Sequence, residues 1–200
     1  MKLAVFDYGA GNLHSLLRAL TSEGVTPVLE TDPKALARAD AIVLPGVGAF
    51  GAAAQMLAPG RAELFAALRD GVPCLGVCLG MQLLFERSAE GAGQGVGLIA
   101  GDVVRLTLAR VPHMGWNAVQ DLNEPLLEAT PLTHAYFAHS FACVPTDPAT
   151  VTAVTEQAGQ RIVAAVRSAR TLGVQFHPEK SGPEGVAFVR AFVREAAACV

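Results

Sequence analysis

Charged residues are scarce in this sequence, and Lys and Arg never form a run. Only 16% of the 200 residues are charged, and the net charge is −3. Without a basic surface, binding to nucleic acid or to an anionic membrane is not expected. Hydrophobic residues make up 52% of the chain, so much of it must be buried on both faces of a sheet. This length supports one well-packed domain, and no composition break divides residues 1–200.

Cysteine is also rare, and its four copies are scattered at positions 74, 78, 143 and 199. This spacing is unlike the disulfide framework of a small secreted protein, so we expect reduced thiols. Cys74 and Cys78 form a CxxxC pair without histidine partners at the spacing that a zinc site requires. We therefore expect no metal site.

A long unbroken apolar run is missing as well. The uncharged stretch at 41–60 contains two prolines and four glycines, which break it into strand, loop and helix. The apolar stretch at the N-terminus is too short for a signal peptide, and Asp7 interrupts it. We therefore expect a soluble, cytoplasmic protein.

Short apolar runs alternate with segments of helical periodicity along the chain. Strands are predicted at 2–7, 26–30, 40–45, 72–77, 101–108, 135–144, 150–157, 161–168 and 171–177. Helices are predicted around 13–20, 33–39 and 60–71, and from Leu79 and Gly182 onwards. Ser181 and Glu184 have the spacing of a capping box for the last helix. The alternation predicts an α/β fold: an open, mostly parallel sheet with helices on both faces, to which the later strand-rich segment adds antiparallel edge strands.

The segment GVCLG at 76–80 has the G-x-C-x-G pattern of a nucleophile elbow between a buried strand and a helix. Cys78 would then project above the sheet edge beside a helix N-terminus, which favours the thiolate. Cys74 lies inside the strand, where it is better explained as core. A core role is also the alternative for Cys78, because free cysteine is often buried.

Two further segments could complete a catalytic site. His177 and Glu179, in the segment HPE, are two residues apart on an extended run and can point the same way. Glu179 could then orient the imidazole as a base for Cys78. The glycines of PGVG at 45–48 also follow a strand, and the backbone there could form an oxyanion hole with the amide of Leu79. The alternative for HPE is a surface turn in which His177 and Glu179 face water, and the alternative for PGVG is an ordinary turn.

The segment GAGN at 9–12 follows the first strand in the way that a dinucleotide-binding loop does. The G-x-G-x-x-G pattern fails, however, because His14 stands where the third glycine belongs. We therefore predict no cofactor.

The segments PGVG, GVCLGMQ and FHPE, in this order, resemble the class I glutamine amidotransferases. DYGAGNLHS, PHMGWN and YFAHSF narrow the resemblance to the glutaminase subunits of imidazole glycerol phosphate synthase. It implies a flavodoxin-like three-layer sandwich, hydrolysis of L-glutamine and transfer of ammonia to a cyclase subunit in a heterodimer. The site residues that it implies, beside a catalytic triad of Cys78, His177 and Glu179, are Gly46, Val47, Gly48, Leu79, Gln82, Ser140 and Phe141 for the oxyanion hole and substrate, and Asn12, Trp116 and Lys180 for the partner interface.

Other interpretations stay open at this point. The chain could be the glutaminase of another class I system, such as pyridoxal phosphate synthesis. It could be a stress or redox protein with a cysteine elbow, or a binding module without activity. Gln82 could be a solvated helix position, and Trp116 could be a core residue in a packed loop.

Overall fold

The computed structural model describes residues 1–9, 11, 13–21 and 24–199. Its strands are β1 (Leu3–Phe6), β2 (Val28–Glu30), β3 (Ala41–Leu44), β4 (Cys74–Val77), β5 (Arg87–Ser88), β6 (Gly101–Arg105), β7 (His113–Ala118), β8 (His134–His139), β9 (Phe141–Pro145), β10 (Val151–Gln157), β11 (Gln160–Ser168) and β12 (Thr171–Val174). Its α-helices are α1 (His14–Leu20), α2 (Pro33–Leu36), α3 (Phe50–Leu57), α4 (Arg61–Arg69), α5 (Leu79–Leu83), α6 (Pro125–Glu128) and α7 (Gly182–Ala197). Single 3-10 turns cover Ala58–Gly60, Pro148–Thr150 and Pro178–Lys180.

The central sheet joins seven strands in the order β10-β11-β12-β4-β3-β1-β2. The strands from β12 to β2 pair in parallel, whereas β10, β11 and β12 pair as antiparallel neighbours. The predicted mostly parallel sheet with antiparallel edge strands is therefore confirmed, and both antiparallel strands lie at the same edge. The carboxyl ends of the parallel strands meet at one edge, where β3, β4 and β12 lie side by side.

The sheet separates two hydrophobic cores. Leu3 and Val5 of β1 face one core, which α1 and α7 cover. Ala4 and Phe6 face the other core, which α2 to α5 cover. Alternate residues of a strand point to opposite faces, and with helices on both faces the expected three-layer architecture is confirmed. Cys74 is wholly buried in the second core, as predicted.

Two predictions of local structure were wrong. The segment 135–144 is not one strand, because the chain changes sheets at Ser140: β8 pairs with β7, and β9 pairs with β6. The capping box at the start of α7 does not form either. The Ser181 hydroxyl instead donates to the carbonyl of His177 at 2.6 Å and accepts from the amide of Tyr136 at 2.9 Å. Ser181 thus ties β8 to the turn that carries His177.

No helix in the ranges that the structure describes is long and apolar enough to cross a membrane.

Replacing Gly80 should be costly, because α5 lies directly against β3. A Cβ at Gly80 would overlap the carbonyl oxygen of Leu44, and neither backbone can give way cheaply. We expect Gly80→Ala to lower the free energy of unfolding by about 3 kcal/mol. Gly159→Ala is the control, because a Cβ there meets open space and only the φ of +74° is unfavourable; its cost should be about 1 kcal/mol. Urea unfolding of both variants measures the difference, and equal losses would contradict this packing argument.

Candidate active site

Cys78 occupies a strained turn between β4 and α5. Its φ of +48° is unusual for a residue with a Cβ. The turn is held by its own amide, which donates to the carbonyl of Val174 on β12 at 2.7 Å. It is also possible only because Gly76 and Gly80 pack without side chains: a Cβ at Gly76 would lie 2.8 Å from the backbone of Gly80. This is the nucleophile-elbow geometry that the sequence pattern predicted.

The pairing of β4 with β12 determines which residues lie beside Cys78. Val77 and Val174 are direct partners in the parallel register. Cys78 and Gln175 therefore follow directly after the ends of two neighbouring strands. Beyond β12 the chain stays extended, and Gln175 and His177 therefore face the same side. Phe176 points the other way, into the core against Phe137 and Phe188.

His177 stands between a thiol and a carboxylate. Its Nδ1 lies 2.9 Å from Oε1 of Glu179, and its imidazole is also hydrogen-bonded to the side chain of Cys78. Burial lowers the pKa of His177, but the bonds to Cys78 and Glu179 outweigh burial and raise it to about 9. A proton taken from the thiol would therefore be well stabilised on this imidazole. The structure brings together all three predicted triad residues.

The PGVG loop closes over this arrangement. A Cβ placed on Gly46 would lie 2.9 Å from Cε1 of His177 and 3.0 Å from Cβ of Cys78. Only a glycine allows the loop to approach both groups so closely. Val47 is half-buried and packs instead against Gly11, where a Cβ would come within 2.6 Å of the valine Cβ.

A cavity of about 320 Å³ opens beside Cys78. This volume lies at the small end of the range for ligand sites in proteins. Its lining consists of Gly46, Gly48, Cys78, Leu79, Gln82, Glu90, Arg105, Pro112, Met114, Ala138, His139, Ser140 and Phe141. Every residue expected at the substrate or oxyanion site lines it except Val47, whose side chain belongs to the loop packing.

Comparison with known proteins identifies the family. The class I glutamine amidotransferases match this chain over residues 4–196. The chain belongs to this family. A relative from Synechococcus sp. (strain JA-2-3B'a(2-13)), named imidazole glycerol phosphate synthase subunit HisH, is 46% identical over 210 residues, which cover 100% of this chain and 95% of the relative. The protein of the same name from Pyrococcus furiosus is 41% identical over 196 residues, covering 96% of this chain and 98% of its own.

Solved structures show the same fold at lower identity. A crystal structure of a glutamine amidotransferase has a TM-score of 0.75 at 18% identity, covering 98% of this chain and 100% of its own. The structure of PurLQS from Thermotoga maritima has a TM-score of 0.69 at 23% identity, covering 97% of each chain. At such identities the likeness supports the fold alone.

Two charged residues that no sequence pattern predicted also line the cavity. Arg105 ends β6, and its guanidinium lies 5.8 Å from the ring centroid of Phe141. Glu90 also lines the cavity, and its Oε2 accepts from the amide of Phe50 at 2.8 Å. Neither residue belongs to a sequence motif. Arg105 reaches the cavity through the pairing of β6 with β9, and Glu90 reaches it from the long loop that follows β5.

The far wall of the cavity is a chain of buried hydrogen bonds. Nδ1 of His139 lies 2.8 Å from the carbonyl oxygen of Phe141 and must therefore carry a proton. Nε2 of His139 is then free to accept from Nδ1 of His113, at 3.0 Å. Burial lowers the pKa of His139 to about 4, and it lowers the pKa of His113 as well. Both imidazoles are thus neutral at pH 7 and form a fixed wall.

The predicted interface residues fall partly on one surface. Trp116 is 58% exposed on β7, so the alternative that it is a core residue is wrong. Its ring lies 3.7 Å from where a Cβ of Gly182 would stand, and Gly182 follows the exposed Lys180 by two positions. Trp116 and Lys180 therefore lie on adjacent segments, whereas Asn12 lies outside the described residues.

No group of three or more His, Cys, Asp or Glu among the described residues is arranged to hold a metal ion.

Acid should destabilise the fold through His139. Its pKa is about 4 when folded but roughly 6.5 when unfolded, so between these values the unfolded chain binds more protons. The free energy of unfolding should therefore fall as pH drops from 6.5 to 4, by about 3 kcal/mol from this residue. His139→Asn keeps a donor for the Phe141 carbonyl but cannot titrate, so urea unfolding from pH 7 to pH 4.5 should show a flatter acid slope. His134→Asn, at an exposed position, is the control, and an unchanged slope in His139→Asn would contradict the assignment.

Proposed function

We propose that this chain is the glutaminase subunit of imidazole glycerol phosphate synthase. It hydrolyses L-glutamine to glutamate and ammonia and passes the ammonia to a cyclase subunit. The observation that carries the proposal is the contact of Cys78, His177 and Glu179 at one sheet edge beside the cavity. Relatives up to 46% identical over the full chain that are named as this subunit support the system to which it belongs.

The reaction follows from the order of these groups. Cys78 loses its proton to Nε2 of His177, and its sulfur attacks the side-chain amide carbon of glutamine. The C–S bond forms as the carbonyl electron pair moves onto oxygen, which gives a tetrahedral intermediate. When this intermediate collapses, the C–N bond breaks and His177 returns the proton to the departing ammonia. A water deprotonated by the same imidazole then hydrolyses the thioester and releases glutamate. Glu179 orients the ring through Nδ1 and stabilises the imidazolium.

Backbone amides would stabilise the charge that develops on the amide oxygen. The amide of Leu79 is the first N–H of α5 and follows the nucleophile directly. The loop Gly46–Val47–Gly48 stands on the other side of Cys78 and is the source of the second donor.

The rest of the cavity suits the zwitterionic end of a free amino acid. Arg105 and Glu90 supply opposite charges for the α-carboxylate and the α-ammonium. Nε2 of Gln82 donates to the carbonyl of Phe141 and to Oε1 of Gln175, both at 3.3 Å. The amide therefore has only its oxygen left to offer, as an acceptor for the α-ammonium. Backbone at Ser140 and Phe141 completes this side of the pocket.

The proposed complex makes imidazole glycerol phosphate and aminoimidazole carboxamide ribotide in histidine biosynthesis, in the cytoplasm. Residues 1–200 would act as a single amidotransferase domain without a cofactor. Glutaminases of other class I systems share the triad, but the relatives from Synechococcus sp. and Pyrococcus furiosus, at 46% and 41% identity, carry the name of this synthase. A stress or redox protein would not need Glu179 beside His177.

Substitution of the two neighbouring cysteines tests the proposed activity. Cys78→Ala removes the nucleophile and should lower glutamate release by at least about a thousandfold. Cys74→Ala is the matched control, because this thiol is buried in β4 with a raised pKa. It should cost about 1 to 2 kcal/mol of stability and leave the mechanism intact. Glutamate release with the cyclase present, measured on folded variants, decides; comparable catalytic losses from both would contradict the assignment.

The exposed face around Trp116 and Lys180 should set the coupling to the cyclase. An exposed tryptophan next to a cation is typical of an interface anchor with a polar rim. We expect Trp116→Ala or Lys180→Ala to weaken the complex or leak ammonia, so that product formed per glutamate released falls about twofold or more. Val144→Ala, at a 51% exposed apolar residue on β9, is the control. An unchanged ratio and affinity in both variants would remove this face from the interface.

A further inference from the structure

Gln175 is wholly buried against the nucleophile, yet no catalytic pattern in the sequence includes it. Its Nε2 lies 3.5 Å from Sγ of Cys78, and its Oε1 lies 3.3 Å from Nε2 of Gln82. The backbone around it is fixed, since its amide donates to the carbonyl of Ala164 at 2.8 Å. Burying a side-chain amide costs free energy unless its hydrogen bonds are made. Because both ends of this amide are hydrogen-bonded, it has one defined orientation.

A backbone carbonyl, that of Phe141, determines which atoms donate and which accept in these hydrogen bonds. The carbonyl of Phe141 can only accept, so Gln82 must present its Nε2 there. The second N–H of that nitrogen then requires an acceptor, which is Oε1 of Gln175. Rotating the Gln175 amide by 180° would set two NH₂ groups against each other. Its Nε2 consequently faces the Cys78 sulfur as a donor.

A donor at this position discriminates between the two protonation states of Cys78. The thiol needs an acceptor for its S–H, which Nε2 of a neutral His177 can supply, whereas the N–H of Gln175 offers it none; the Ala138 carbonyl, at 3.9 Å, is distant. The thiolate needs donors instead, and sulfur carrying a full charge gains more from an N–H than a neutral thiol does. The protonated His177 supplies one donor, and Gln175 supplies a second from the same extended run.

We propose that Gln175 is a positioning residue that stabilises the thiolate of Cys78 and holds Gln82 in register with it. The inference rests on the proposed function for its role in turnover, because Gln82 is there assigned to the substrate. The hydrogen-bond chain links the substrate side of the cavity to the nucleophile: Phe141 fixes Gln82, Gln82 fixes Gln175, and Gln175 faces the sulfur.

The test measures the thiolate directly in the full chain. The rate of alkylation of Cys78 by iodoacetamide is followed against pH, and the modified peptide is resolved by mass spectrometry from those of the other cysteines. Gln175→Met keeps the length of the side chain but removes the donor. We expect the midpoint of its alkylation profile to rise by about one pH unit, since hydrogen bonds to charged groups are worth about a tenfold change or more. The rate at the high-pH plateau should stay at the wild-type value.

Turnover and a matched control complete the design. With the cyclase present, Gln175→Met should lower kcat at pH 7 about tenfold and recover part of it at higher pH. Thr171→Val is the control: Thr171 is equally buried on β12, and its hydroxyl has no hydrogen-bond partner among the described residues. Its alkylation midpoint should equal that of the wild type. Gln175→Glu keeps the acceptor for Gln82 but places an oxygen beside the sulfur, and it should move the midpoint upwards further.

The outcomes separate this role from a merely structural one and from the proposed function. A folded Gln175→Met protein with an unshifted midpoint would overturn the inference. Should that variant fail to fold, an unshifted or lowered midpoint in Gln175→Glu overturns it equally. A wild-type chain whose alkylation midpoint lies below that of Gln175→Met, but which releases no glutamate with the cyclase, would refute the function and leave the thiolate contact standing.

Discussion

The parallel pairing of β4 with β12 is the constraint on which the site depends. Because Val77 pairs with Val174 in the register, the segments that follow β4 and β12 leave the sheet side by side, and their first residues come into contact. The segment after β4 turns sharply into α5 at Cys78, whereas the segment after β12 stays extended through Gln175 and His177. A shift of one residue in this register would turn the imidazole away from the thiol and into the core.

The strain at Cys78 is tolerated because its surroundings leave no alternative. A left-handed φ at a residue with a Cβ costs on the order of 1 to 2 kcal/mol. The turn is over-determined by the hydrogen bond to Val174 and by close packing at Gly76 and Gly80. Buried cores on both faces of the sheet hold these contacts in place. The strained conformation keeps the sulfur at the edge of the cavity instead of in the core where Cys74 lies.

Two buried histidines near the cavity have pKa values that are shifted in opposite directions, because their hydrogen-bond partners differ. His177 is bonded to a carboxylate and a thiol, which raises its pKa to about 9 in spite of burial. His139 has only a carbonyl and a second imidazole, so burial prevails and lowers its pKa to about 4. The first can therefore take and return a proton, whereas the second stays neutral and supports the wall. Burial alone does not assign a role to either.

The sequence by itself determined the alternation of strands and helices, the elbow at Cys78 and the pairing of His177 with Glu179, because each depends on residues close along the chain. It did not reveal Gln175, Arg105 or Glu90, which carry no local pattern. The predicted capping box at Ser181 was also wrong, because the Ser181 hydroxyl is hydrogen-bonded to β8 and to the His177 carbonyl instead of capping α7. These features were decided only by the tertiary structure. A hydrogen bond or an ion pair acts over a few ångströms of space. Only the fold brings residues 60 or 97 positions apart within that distance: the register of β4 with β12 brings Gln175 to Cys78, and β8, a strand of a separate two-stranded sheet, brings Ala138.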